Sequence, residues 1–328
     1  MMKQEMYRLA KKIWHATYIR LRDSVKEWKY NRYWREHIVH NGREHADKTF
    51  YIIRRREVYT GLFSDFMVYV CKAKQALDAG YIPIVDMQTS ENMYLYMDQI
   101  GKVNAWEYYF KQPCGYSLED AARARNVIWG SGYMQECFPY SDIDYLMNPD
   151  SDFKVYREIA QRYFHLSDEA QKNVDAFYDR ELKGEKVLGV LCRGTDYTGN
   201  KPFGHPVQPS VEDVFEKVDE VCEKYHCTKI FLGTEDAKIY SKFQGRYQNK
   251  VVTNRQHFIS YNGEHSIGKL IRNEVKDLKE EGMEYVITIA LLAGCDCFVG
   301  GHTSGTVGIL LMNDTFDYKY VFNLGLYS

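Results

Sequence analysis

Residues 187–206 read VLGVLCRGTDYTGNKPFGHP. An apolar run of strand length ends at Cys192. Arg193 then opens a loop that carries Asp196, Lys201, three glycines, two prolines and His205. A loop that only turns a corner needs no such set, whereas loops set on a rigid scaffold are where binding groups gather.

The same grammar continues downstream. Residues 210–225 (SVEDVFEKVDEVCEKY) predict a helix N-capped by Ser210. Residues 228–234 (TKIFLGT) predict a strand, 235–244 a helix and 250–253 a strand. Residues 264–282 read as a charged, solvated helical insertion. Then come a buried helix over 284–295 (EYVITIALLAGC), a strand over 296–301 (DCFVGG), a helix over 303–313 and a last strand over 318–325. Strand–helix alternation with short loops predicts a doubly wound parallel sheet.

The first half follows suit less regularly. Residues 48–56 (KTFYIIRRR) predict a strand, 61–80 a helix stopped by Gly80, and 81–88 a strand. Residues 91–118 are aromatic and irregular, and 154–180 read as helical. The expected organisation is a basic helical segment over 1–48, an α/β domain over 49–180 and a Rossmann-like domain over 181–328. No repeat or low-complexity segment interrupts it.

At 328 residues, 45% hydrophobic and 27% charged, the chain can build two packed cores. Its net charge of −2 carries no nucleic-acid footprint. The first 48 residues hold 12 Lys and Arg against 6 Asp and Glu, so this segment carries +6 and the remainder −8. It fits an amphipathic helix packed on the body with a solvated basic face, or a helix lying on an anionic membrane surface. No run of about 18 apolar residues suggests a membrane span, and the chain opens without an apolar signal core. The eight cysteines follow neither a disulfide framework nor a zinc-site spacing. Buried thiols in a reducing cytoplasm are expected.

In an open parallel sheet, ligands bind beyond the carboxyl ends of the strands. Three loops converge there: 193–206, 234–236 and 301–305. The planar, permanently charged fork of Arg193 suits phosphate oxygens, unless it merely pairs with Asp196 in a turn. Gly194 allows close backbone approach. The segment GGHTSG (300–305) feeds a strand into a helix start, where His302, Thr303, Ser304 and Gly305 surround free N–H donors. An ordinary cap by Thr303 or Ser304 is the plainer account. Glu235 and Asp236 can accept from a ribose or a purine edge, or serve as first-turn acids behind a Thr234 cap. The pairs Asp142/Asp144 and Asp150/Asp152 lie in polar turns and read as solvated loop acids. The cleft's other side comprises 54–66 and 85–94, with Glu57, Asp65, Asp86, Tyr59 and Tyr94, and with Trp106 near it. Carboxylates with aromatics suit a sugar, unless Trp106, Tyr108 and Tyr109 simply build the first domain's core.

The second half resembles the fucosyltransferase superfamily of core α-1,6-fucosyltransferases, nodulation fucosyltransferases and protein O-fucosyltransferases. GVLCRGTDYTGNKPFGHPV resembles its first signature, IFLGTEDAKIY its second and LLAGCDCFVGGHTSGTVGILLM its third. The chain has Leu191 where the family has His, Lys201 where core enzymes have a carboxylate, and Thr288 where an Asp is usual, with Glu284 one turn earlier.

The resemblance implies a GT-B-like fold, two Rossmann-like domains facing a cleft. It also implies an inverting, metal-independent glycosyl transfer from GDP-fucose or a similar donor. By position, Arg193, with Gly194 and Tyr197 on its loop, would hold the leaving diphosphate. Asp196 would support Arg193 or the nucleotide, Glu235 and Asp236 would approach the nucleoside, and His302, Thr303, Ser304 and Gly305 the diphosphate. Asp65, Asp196, His205 and Glu57 are the base candidates. The expected acceptor is a glycan or lipid-linked saccharide, in cytoplasmic or membrane-peripheral polysaccharide biosynthesis. The rivals are a non-catalytic nucleotide-sugar or glycan-binding protein, and a metal-dependent glycosyltransferase using Asp142 and Asp144.

Overall fold

The computed structural model describes residues 24–25, 27–134, 137–194, 201, 203–259, 275 and 277–328. Asp196, Tyr197, the first 23 residues and most of 264–282 therefore lie outside the described residues.

The first sheet has the order β1–β4–β2–β3, from β1 (His37–Val39), β2 (Glu44–Ile53), β3 (Ile82–Val85) and β4 (Ala124–Trp129). β2, β3 and β4 run parallel, and β1 is antiparallel to β4. In β2 the period of two is plain. Phe50 and Ile52 face one small core, while Tyr51 and Ile53 face α1 (Leu62–Asp78) and the main core. The irregular stretch that follows contains α2 (Trp106–Tyr109) and α3 (Leu118–Arg123). Beyond β4 come α4 (Ile143–Met147), α5 (Phe153–Tyr163) and α6 (Asp168–Phe177). The helical stretch expected over 154–180 is thus broken, with Ser167 accepting from the Ala170 N–H to start α6.

The second sheet is parallel throughout, in the order β7–β6–β5–β8–β9: β5 (Val187–Leu191), β6 (Lys229–Gly233), β7 (Val251–Val252), β8 (Cys297–Gly301) and β9 (Tyr318–Phe322). Leu188, Val190, Leu232 and Val299 face α7 (Val211–Tyr225) and α8 (Ala237–Tyr247). Leu191, Phe231 and Phe298 face α9 (Leu278–Ala293) and α10 (Ser304–Met312) on the opposite side. This is the doubly wound sheet the alternation predicts. Ser210 caps α7 as expected, in a reciprocal box with Asp213. α9 starts six residues before the expected 284, because Asp277 caps the Glu280 N–H at 3.0 Å and the acidic first turn suits a helix start.

The two sheets share one core. Phe63, Phe66, Trp106 and Phe110 from the first half pack in the same cluster as Val286, Ile289, Val307 and Leu310 from the second. A Cβ on Gly308 of α10 would lie 2.3 Å from Cδ1 of Phe63, so α10 and α1 touch where only glycine fits. Arg157 of α5 adds a bond from Nε to the Leu310 carbonyl at 2.8 Å.

Candidate functional site

β5 is the point where the strand order reverses, with β6 on one side and β8 on the other. Loops leaving β5 and β8 therefore part and leave a crevice. A cavity of about 680 Å³ opens there, between the two sheets. Arg193, Glu235, His302, Thr303 and Ser304 line its floor, and Arg55, Tyr59, Thr60, Ser64 and Tyr94 its N-terminal wall.

Arg193 follows β5 and lies 3.6 Å, Nε to Oε1, from Glu235 beyond β6. Their side chains are 23% and 17% exposed, so the pair is held in the cleft and not on the outer surface. Gly194 behind it is pressed against α8: a Cβ there would sit 2.5 Å from Oδ2 of Asp236. Asp236 caps α8, its Oδ1 accepting from the N–H groups of Lys238 (2.7 Å) and Ile239 (3.2 Å). The cap expected of Thr234 belongs to Asp236, which is not among the cavity's lining residues.

At the floor, Thr303 is the N-cap of α10 and accepts from the Thr306 N–H at 3.2 Å. Its carbonyl takes the Val307 N–H. Among the described residues no acceptor takes the N–H groups of Ser304 or Gly305. Two donors and the positive end of the helix dipole remain for an anion. Gly305 itself lies under Tyr285, whose hydroxyl would be 2.8 Å from a Cβ there. His302 is buried and donates from Nε2 to the Tyr140 carbonyl at 2.8 Å, since a carbonyl can only accept. Burial pushes its pKa down, so at pH 7 the ring is neutral with Nδ1 unprotonated. His205 is exposed on a short ribbon in which residues 204–207 pair with 325–327. That ribbon carries His205, Pro206 and Leu326 to the cavity, so His205 lines it from the C-terminal side.

On the opposite wall, Arg55 is the residue that the sequence reading did not single out. It stands just past β2, as Arg193 stands just past β5, and that shared pattern of an apolar run ending on arginine was the available signal. Its Nη1 donates to Asp65 (2.7 Å) and Ser64 (3.0 Å), and its Nε to Glu57 (3.2 Å). Asp65, 3% exposed, does not line the cavity; it lies behind Arg55 and Thr60. Burial outweighs the Arg55 charge and pushes its pKa up to about 6. Asp86 is also turned inward, accepting from the backbone of Gln88 and Thr89. Trp106 is core, stacked on Phe110 at 4.4 Å. Arg255 pairs with Glu281 at the far end, beside Thr288, whose hydroxyl donates to the Glu284 carbonyl at 2.7 Å. Asp142 caps α4 at the Tyr145 N–H, and neither it nor Asp144 lines the cavity.

No family model matches the chain, and no curated protein matches it in sequence. Solved structures similar to it include fucosyltransferase NodZ from Bradyrhizobium, at 15% identity over 81% of this chain and 94% of that one, with a TM-score of 0.47. NodZ α-1,6-fucosyltransferase soaked with GDP-fucose is 17% identical over 81% and 93%, TM-score 0.45. POFUT1 in complex with GDP is 11% identical over 85% and 100%, TM-score 0.49. These are likenesses in chain course; the chemistry of the cleft follows from its own side chains.

Proposed function

We propose that the chain is an inverting, metal-independent glycosyltransferase that uses a GDP-sugar, GDP-fucose first, with a glycan or lipid-linked saccharide as acceptor. One observation carries this reading. Arg193 and the open first turn of α10 line a single cavity at the point where the strand order reverses. A diphosphate fits between a guanidinium fork and free N–H groups.

The anomeric carbon–oxygen bond breaks with oxocarbenium character. Negative charge then gathers on the departing diphosphate, where Arg193 and the N–H groups of Ser304 and Gly305 stabilise it. These groups are in place before reaction, so little reorganisation is needed. The acceptor enters along the opposite wall, where exposed Tyr59 offers a ring to a sugar and buried Tyr94 backs the wall. Among the described residues no helix is long and apolar enough to cross a membrane. Trp28, Tyr30 and Tyr33 are exposed beside Lys29 and Arg32, and support peripheral contact if the acceptor is lipid-linked.

A thermal-shift series against GDP, UDP, CDP and their sugars tests the donor, since a ligand that binds only the native state raises its stability. GDP should give the largest shift, and GDP release from GDP-fucose should persist in EDTA. No shift with any nucleotide would overturn the reading. Turnover lost on chelation would overturn metal independence.

A further inference from the structure

Transfer to a hydroxyl requires a proton acceptor on the side the hydroxyl approaches. Among the described residues, the carboxylates lining the cavity are Glu235 and Glu281, each beside an arginine on the C-terminal side. The N-terminal wall offers a carboxylate only at one remove. Thr60 lines the cavity, and its Oγ1 donates to Oδ1 of buried Asp65 at 2.7 Å. A hydroxyl that donates keeps two lone pairs for accepting.

Resting on the glycosyltransferase reading, we propose that the acceptor's proton leaves through the Thr60 hydroxyl to Asp65, with Arg55 fixing the carboxylate. As the new bond from acceptor oxygen to anomeric carbon forms, the bond from that carbon to phosphate oxygen breaks. Its electron pair leaves with the diphosphate. The acceptor proton passes to Oγ1 of Thr60, and the proton already on Thr60 passes to Oδ1 of Asp65. After product release the same path returns the proton to water.

The surroundings suit the task. Arg55 at 2.7 Å favours the ionised carboxylate, while burial opposes it, leaving Asp65 ionised at pH 7 and still basic. The other titratable groups acting on it are Glu57 on the loop after β2, Tyr69 on α1 and Tyr94 on the loop after β3; Asp86 acts on Tyr69. Ser64, at 3.0 Å from Nη1 of Arg55, holds the guanidinium from the cavity side.

The test uses GDP release from GDP-fucose with water as acceptor, beside calorimetric GDP binding. Thr60→Val should lower kcat by about 10²–10⁴-fold, the range of general-base catalysis, with GDP affinity unchanged. Thr60→Ser should rescue turnover. Asp65→Asn should match Thr60→Val and lack the acid limb near pH 6 that is expected of wild type. Thr60→Val turning over like wild type would overturn the relay alone; so would an acid limb that survives in a folded Asp65→Asn. Wild-type protein that binds no GDP would overturn the reading of the site and the relay with it.

Discussion

Replacing Arg193 by alanine tests the leaving-group chemistry most directly. A unit charge about 4 Å from a phosphate oxygen, at an effective dielectric of about 20, is worth about 4 kcal/mol. Loss of one preorganised donor in an enclosed site costs about 2.7–4 kcal/mol, so kcat should fall about 10²–10³-fold. The structure adds a second term of the same sign. Glu235, 17% exposed and 3.6 Å from Nε, loses its cation and then faces the diphosphate as a like charge. Arg193→Ala with Glu235→Gln should therefore be less impaired than Arg193→Ala alone. Arg193→Lys keeps the charge but loses the fork, and should stay near the alanine variant. The assay is single-turnover GDP release from GDP-fucose, with circular dichroism to confirm folding. A kcat for Arg193→Ala within about threefold of wild type, about 0.6 kcal/mol, would refute the role given to this residue.

Three further outcomes are expected. Gly308→Ala places a methyl 2.3 Å from Phe63, which is fully buried and has little room to yield; urea unfolding should show about 1–3 kcal/mol of destabilisation. Gly194→Ala meets Oδ2 of Asp236 at 2.5 Å and Cδ1 of Ile239 at 2.8 Å, shifting the loop that carries Arg193. GDP affinity should drop there while the urea midpoint changes little. Folding raises Asp65 from 3.8 to about 6, so between these values the native protein holds a proton that the unfolded chain has released. Stability contributed by this group is greatest below pH 4 and is lost as pH rises to 6. Relative to Asp65→Asn, wild type should lose about 3 kcal/mol across that window in chemical denaturation, and a flat difference would contradict the burial argument.

Much of the C-terminal half was legible because its signals are local. Val187–Leu191 is apolar without a break, and Ser210 with Asp213 three residues on marks a helix start whatever lies around it. Thr303 could be seen as a cap because a strand and a helix meet around it. The misses required partners far off in the chain. β4 owes its state to pairing with β2 and β1, and its ARNVIW alternates too briefly to announce itself. The acids of the GTED stretch could be read as nucleoside ligands or as acids at a helix start; Glu235 lines the cavity, while Asp236 caps α8 and packs against the turn at Gly194. Asp65 looked like a group facing the cleft, and only packing shows it behind Arg55 and Thr60. Trp106 looked like a ring beside the cleft, with the first domain's core as the alternative; it is fully buried and stacked on Phe110, in a core that no single segment encodes.

That core has a practical consequence for engineering. Because Phe63 seats in the notch left by Gly308, and Tyr109 reaches across to the carbonyls that open α9, the halves are not interchangeable modules. A chimaera that joins residues 1–180 of this chain to the C-terminal half of another protein would bring together two surfaces shaped for different mates. Transplanting either wall of the cleft will require carrying α1, α9 and α10 as one block, or redesigning the seam residue by residue.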